Sequence, residues 1–524
     1  MKLTIHNVRN AAIVYMALPN ALFFLFTLKW WIGISAFVLV AAACIVSCRR
    51  KDAECGLSPI TDSFAPVAVK WWMVFTLLLL VFVWCIMAGQ GGFVAQTWDW
   101  NGRNATLRDM VMHDWPVTYR EGSLALAYYI GHWVPSALAG RAVLAVGGSA
   151  DAAWQTANAA LLAWTCAGIL IVLSMLIVVL RGDRPWKQLL VLLLLVFFSQ
   201  TKGLGEAVMV FIQHVLGGIT GKDYDTHWGW WTFQFSHNSE LLYWVFNQTV
   251  VPWLGILLVA SERSFSRFVF IVALCLVCGP IPDVGIAFFA TAAGVAVCRR
   301  RMKRDGVLSG LTETARSVLT FENMIGLLVV IPLVYAYLST NSRGGTFAPA
   351  WLGREYFWKR YLLFVCCEAG LLLAVAWRAR NVWWWSALAW ICVCPLVKLG
   401  NNNDFCMRAS IPAFAVLMVL AAQAVADGNR LRRWFAVVLL AFGSLYPLRM
   451  MHEYMAPTLA AWPNIPKQDR IYSYSRRLED IQMREYLDRV AFPDALANNH
   501  CVDPYSRFFF RRLARMPREM ETRK

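Results

Sequence analysis

The 524-residue chain is predicted to be an all-α, polytopic transmembrane helical bundle, on three observations. The composition is 59% hydrophobic and only 15% charged. Apolar runs such as "WWMVFTLLLLVFVWCIMAG", "LLAWTCAGILIVLSMLIVVL" and "IPAFAVLMVLAAQAVA" approach or exceed the roughly 20 helical residues that cross a hydrocarbon core. Backbone groups in lipid must bond within their own segment, so runs of that length are read as helices. Third, the basic residues gather in short connections: "CRRK" at 48–51, "RGDRPWK" at 181–187, "CRRRMKR" at 298–304, "RAR" at 378–380 and "NRLRR" at 429–433. By the positive-inside rule these are cytoplasmic anchors. That distribution accounts for the net charge of +17 without a nucleic-acid partner.

The elements follow in order. Crossings are expected near 10–28, 30–48, 67–88, 156–180, 186–200, 239–260, 266–280, 283–298, 322–339, 357–377, 382–398, 407–426 and 432–448, about 13 helices with the N-terminus cytoplasmic. The first run follows Lys2 and Arg9 as a secretory signal would, but no small-residue cleavage pattern follows it, so it is read as a retained anchor. The stretch 124–147 would place "RGDRPWK" on the wrong side if it crossed. It is therefore laid on the outer surface as interfacial helices, with Tyr128, Tyr129 and Trp133 at the headgroups. The runs at 266–280 and 283–298, separated by "GPIPDVG", suit a broken hairpin.

This topology sends 89–155, 201–238, 340–356 and 399–406 to the outer side. Residues 1–448 form the membrane domain and 449–524 a small extracytoplasmic appendage carrying "SRRLEDIQMREYLDRV" and "DPYSRFFFRRL". The fourteen cysteines lie mostly inside apolar runs, where they read as small core hydrophobes and not as disulfides or metal ligands.

Against this apolar background, "GGFVAQTWDWNGRNATLRDMVMHDWPVTYREGS" stands out at 91–123. Asp99 is placed to cap a helix through "NGRNATLRDMVMH", with Arg103 one turn on, and Asp109 and His113 are likewise one turn apart. A carboxylate beside Trp98 and Trp100 at a membrane surface is suited to general-base work on a hydroxyl, with Asp109 and Asp114 as reserves. The structural alternatives are a simple cap for Asp99 and pairing of Asp109 with His113 or Arg108. The sequons at Asn104 and Asn247 carry little weight, one inside the candidate site and one inside an apolar helix.

The second outer loop, "GKDYDTHWGWWTFQFSHNSELLYWVFNQ", alternates Asp223, Asp225, His227, His237, Asn238 and Glu240 with Trp228, Trp230, Trp231, Phe233 and Phe235. Aromatic faces beside carboxylates and amides suit sugar rings, whose CH-rich faces stack while their hydroxyls need hydrogen bonds. An interfacial tryptophan belt is the alternative for Trp230 and Trp231. Asp225, His227 and His237 are also the candidate set for a divalent metal, although their spacing matches no strong ligand pattern.

In "KLGNNNDFCMRASIP" at 398–412, Asn401, Asn402, Asn403, Asp404 and Arg408 stand at the outer mouth of a helix. Arg408 pairs with Asp404 one turn away, or its planar fork captures a lipid-linked phosphate. Arg343, Arg354, Lys359 and Arg360 on the neighbouring loop are candidates for the same anion site. Glu206 and Glu368 are further candidates, and Glu368, near mid-membrane, keeps a transporter reading open.

Acidic residues in the first large outer loop, about thirteen helices, tryptophan-rich outer loops and arginines at the lipid boundary together resemble the GT-C class of integral-membrane glycosyltransferases. The segments "DWNGRNATLRDMVMHDWPVTY", "HNSELLYWVFNQTVVPWL" and "NNNDFCMRASIPAF" are similar to segments of a group of bacterial multi-pass envelope membrane proteins. The likeness implies a cytoplasmic (inner) membrane protein with its C-terminus extracytoplasmic. It also implies transfer of a sugar from a polyprenyl-phosphate-linked donor to a glycan or lipid acceptor on the outer face, with a first-loop carboxylate as base. By position that role falls to Asp99. Arg103, Asn104, His113 and the residues above at 225–240 and 403–408 are expected to hold substrate. The chain departs from the commonest pattern, because no adjacent Asp-Glu or Asp-x-Asp follows the first helix. Two other classes remain: a transporter or flippase of envelope lipids or glycans, which predicts charge along a midplane path, and a noncatalytic scaffold, in which every loop carboxylate is replaceable.

Overall fold

The computed structural model describes residues 1–50, 57–61, 64–96, 99–119, 124–202, 204–205, 208, 211, 224–225, 229–230, 233–341, 347–354, 357–399, 404–461, 501–504 and 507–515. Among these residues, seven helices are long and apolar enough to cross a bilayer: Ile5–Thr27, Trp30–Arg49, Ala150–Val179, Pro280–Asp305, Phe321–Leu338, Phe357–Arg378 and Arg430–Leu459. The pair Asn238–Gln248 and Val250–Ser261, bent by 100°, makes an eighth where it counts as one span. Four shorter apolar helices stand among them, Trp71–Met87, Pro185–Phe197, Val382–Leu396 and Ile411–Asp427. The chain is a helical membrane protein.

Local chemistry starts these helices where the sequence changes character. Thr4, Ser149 and Thr320 accept a hydrogen bond from the backbone N–H three residues on, and Asn381 accepts two, from Trp383 and Trp384. Each satisfies donors that a helix start leaves open. Pro185, Pro280 and Pro412 open their helices, where a missing N–H costs nothing. Exposed tryptophans ring both ends, with Trp30, Trp31, Trp351 and Trp358 at one and Trp71, Trp72, Trp186, Trp377 and Trp434 at the other. Such girdles suit two membrane–water boundaries.

Hydrogen bonds define the ends. At the end that carries Trp71 and Trp186, Lys2–Leu3 pairs with Val67–Ala68, Gln188 donates to the Ala68 carbonyl at 3.1 Å, and Gln423 donates to the Ile60 carbonyl at 2.9 Å. At the opposite end, Val134–Ala145 and the first turns of Ala150–Val179 form a helical hairpin. Gly140 lets the two helices touch, since a Cβ there would stand 2.8 Å from the Ala153 carbonyl oxygen, and Gly147 turns the chain with φ of +85°.

Three expectations need correction. The stretch 124–147 is helical only from Val134 apart from a short turn at Gly131–Trp133, and Leu124–Leu126 is a strand between Thr118–Tyr119 and Cys501–Val502. Trp133 does not sit at the headgroups: it is fully buried with its ring 5.7 Å from Phe246, because the loop folds back onto the helix ends and removes the indole from lipid. The boundary expected at Arg449 falls inside the helix Arg430–Ala461. The chain then returns at Cys501–Val502 to extend the sheet, and Arg515 donates to the Leu25 and Leu28 carbonyls at 2.7 and 2.8 Å. The described residues from Cys501 to Arg515 are therefore docked on the bundle. The motif "SRRLEDIQMREYLDRV" lies outside the described residues.

Candidate functional site

At the hairpin end, two short helices present the same device. Trp100–Met112 carries Arg103, whose guanidinium is 3.3 Å from Asp99, and Asp404–Ala409 carries Arg408, 2.6 Å from Asp404. Both arginine side chains are nearly buried, at 11% and 13% exposure, whereas Asp99 and Asp404 are 49% and 43% exposed. The carboxylates form a rim and the cations lie beneath it. Asp99 makes no capping hydrogen bond, so the expected cap is replaced by the ion pair.

Arg103 and Arg408 lie within electrostatic reach of each other, and both lie within reach of Tyr128 and Tyr129. The two phenol rings stack with centroids 3.7 Å apart. Burial raises the pKa of both tyrosines, keeping them neutral hydroxyl donors beside the guanidinium groups. Arg103 also donates to the Tyr243 carbonyl at 3.1 Å and lies 5.8 and 5.7 Å from the centroids of the Trp100 and Phe246 rings, which stack on each other. Burial lowers its pKa against the pull of Asp99. Arg408 keeps its Nε buried with no hydrogen-bond partner among the described residues. Bringing two cations together under an apolar cover is unfavourable unless an anion is shared.

The remaining first-loop residues form other contacts. Asp109 is buried on Arg108 at 2.6 Å, as one structural alternative anticipated. Asp114 pairs with Arg141 at 3.1 Å, and the His113 carbonyl accepts from the same arginine. Asn104 is buried and donates to Gln96 at 2.9 Å. Of the described first-loop carboxylates, Asp99 is thus the one that lies half-exposed beside the arginine pair, as Asp404 does from the other segment.

The motif "SHNSE" builds a second, deeper cluster. Asn238 donates to the Leu195 carbonyl at 2.8 Å and Ser239 to the Val196 carbonyl at 2.6 Å, capping the last turn of Pro185–Phe197. His237 caps its own helix, its Nδ1 accepting from the Glu240 N–H at 3.1 Å. Glu240 then meets Lys202, with Oε1 3.6 Å from Nζ, and the Tyr446 ring lies 4.5 Å from that ammonium.

Lys202 is held by a π-turn at Cys366–Gly370 in the facing helix, where Thr201 takes the freed carbonyls, its N–H on Glu368 at 3.0 Å and its hydroxyl on Cys367. Such turns expose carbonyls that an ordinary helix would use itself, and they recur at functional sites. Burial opposes the Lys202 charge, but Glu240, Tyr446 and Glu368 outweigh it and raise its pKa. Lys202, Tyr128, Tyr129 and Tyr446 were not among the candidates read from sequence as site residues. The signal for Lys202 was a lone lysine directly after an apolar run, in "FFSQTKG".

Glu206, Asp223, His227, Trp228, Trp231, Arg343 and Asn401 to Asn403 lie outside the described residues, as does Trp98. Asp225 and Trp230 belong to a two-strand hairpin, Tyr224–Asp225 with Gly229–Trp230. Phe233 and Phe235 are buried among Phe357, Phe364 and Phe414 as core aromatics. Among the described residues no three His, Cys, Asp or Glu side chains gather as a metal site. Comparison of the chain with protein-family models, curated proteins and solved structures finds no match.

Proposed function

We propose that the chain is a GT-C-like glycosyltransferase that moves a sugar from a polyprenyl-phosphate-linked donor to an envelope glycan or lipid acceptor. The observation that carries this reading is the convergence of Arg103 and Arg408, from segments about three hundred residues apart, beside Tyr128 and Tyr129 under a carboxylate rim. The cations hold the phosphate. Asp99 takes the proton of the acceptor hydroxyl as its oxygen bonds to the anomeric carbon. The bond from that carbon to the phosphate oxygen breaks, and its electron pair stays on the phosphate. Charge-assisted donors strengthen as the leaving group gains charge, which lowers the barrier and not merely the binding energy.

In this reading the shorter apolar helices also cross, and Phe268–Cys275, too short to span alone, forms a broken hairpin with Pro280–Asp305, which gives thirteen membrane segments. The five basic connections lie in the cytoplasm of a bacterial cell, and the arginine pair faces the outer side. A transport reading draws on one observation, the ion pair Lys202–Glu240 buried in the interior, and predicts flux of a lipid-linked glycan across vesicles without transfer.

The test is transfer from a polyprenyl phosphosugar by full-length protein in vesicles. Asp99→Asn is expected to lower the rate by about 10²–10⁴-fold with lipid binding intact. Arg408→Gln is expected to weaken polyprenyl phosphate binding by about 10- to 100-fold, the value of a lost charge-assisted contact. Full transfer by Asp99→Asn would sink the assignment of the base.

A further inference from the structure

The cluster beneath the arginine pair has bonding capacity left over. The Glu240 N–H occupies His237 Nδ1, so a neutral ring carries its proton on Nε2. Burial, and then Lys202, push the His237 pKa well below the usual value, which keeps that ring neutral. His237 Nε2 stands 4.0 Å from Glu240 Oε2, and neither atom has a hydrogen-bond partner among the described residues. Lys202 Nζ stands 3.6 Å from Glu240 Oε1, too far for a hydrogen bond, and turns to the Tyr446 side chain. All three side chains are more than nine-tenths buried. Leaving the imidazole N–H and the carboxylate oxygen unpaired at such depth is unfavourable, most of all for the charged group.

Their geometry selects what would satisfy them. An oxygen about 2.8 Å from both His237 Nε2 and Glu240 Oε2 spans their separation. It must accept from the imidazole N–H and donate to the carboxylate, which is the bonding pattern of a hydroxyl group. Lys202 offers donors to a second oxygen alongside, so the cluster suits neighbouring hydroxyls. Tyr446, whose ring lies under Lys202 and 5.6 Å from the His237 ring, supplies an aromatic wall. Tyr454 lies within electrostatic reach of both Glu240 and Asp99, which connects the cluster to the arginine site.

We propose that Lys202, His237 and Glu240 form the subsite that holds the hydroxyl groups of the transferred sugar. This rests on the transferase reading above. A bound water would have the same bonding pattern, so the experiment must separate water from sugar.

Full-length protein in nanodiscs of phosphatidylethanolamine and phosphatidylglycerol is titrated with a long-chain polyprenyl phosphate and, separately, with the corresponding polyprenyl phosphohexose. The expected result is at least about tenfold tighter binding of the phosphohexose, equivalent to 1.4 kcal/mol. His237→Phe and Glu240→Gln should erase that preference and leave polyprenyl phosphate binding unchanged. His237→Gln, which keeps an N–H, should retain it. Where Glu240→Gln does not fold, the His237 variants carry the test. Equal binding of the two lipids by the natural protein, or a preference that survives His237→Phe, overturns the subsite while the arginine assignment stands. Binding of neither lipid overturns both.

Discussion

Two buried ionic networks occupy opposite halves of the molecule, and they differ in whether the central cation and carboxylate are hydrogen-bonded to each other. At the end that holds the N-terminus, every Arg267 nitrogen donates: Nε to the Ser47 carbonyl at 3.1 Å, Nη1 to Glu262 at 3.0 Å and Nη2 to the Arg50 carbonyl at 2.7 Å. Arg50 in turn grips Glu322 through two bonds of 2.6 and 2.8 Å. In the other network, Lys202, His237 and Glu240 are equally buried, yet they stand 3.6 and 4.0 Å apart with atoms unpaired. Residue type and burial are alike in the two places. What separates a fastening from a site is whether the central cation and its carboxylate already spend their bonds on each other.

Breaking the Arg267–Glu262 network should give the largest effect on stability. Glu262→Ala leaves Arg267, and Arg9 at 3.7 Å, without their shared carboxylate. Removing one partner of a buried pair costs about 3–5 kcal/mol. The thermal midpoint in nanodiscs should fall accordingly, while the ratio of phosphohexose to phosphate affinity stays put in the folded fraction. An unchanged midpoint would erase the distinction between the two networks.

The Lys202–Glu240 network should reveal itself through pH. The folded-state pKa of His237 lies below the unfolded value near 6.5, so the unfolded chain binds more protons as the medium acidifies. Stability that is constant above about pH 6.5 is then lost as pH falls through that value, by up to about 1.4 kcal/mol per unit. His237→Gln has no such group and should flatten this part of the profile in a denaturation series. A variant profile as steep as the natural one would assign the loss to another residue.

The contrast also explains what could be read in advance. The apolar runs and basic connections foretold the helices because hydrophobic length and positive charge are local properties. The i,i+4 spacing placed Arg103 on Asp99 and Arg408 on Asp404 for the same reason. Nothing local said that the two pairs would share Tyr128 and Tyr129, a meeting that depends on how the first outer loop folds across the helix ends. Trp133 misled because an indole near a membrane boundary has the same sequence signal whether it faces headgroups or core. Lys202 was missed because its partners come from helices 38 and 166 positions further on, at Glu240 and Glu368. The break at Arg449 was misplaced because charge at a helix end and charge along a protruding helix look alike. There Arg449 pairs with Glu453 one turn on, and the helix continues.

The smallest expected effect divides a single motif. In "SHNSE", Asn238 sits between two residues assigned to sugar, yet its amide already donates to Leu195 and approaches the Met418 sulfur at 3.6 Å. It belongs with the saturated groups. Asn238→Ala removes one hydrogen bond to a helix-terminal carbonyl and should cost about 0.5–1.5 kcal/mol of stability. Phosphohexose preference should be untouched, because the His237 and Glu240 side chains bond through other atoms. Loss of preference in Asn238→Ala at full folding would mean that the amide touches the sugar, and saturation would then be no guide to which residues of the motif do the binding.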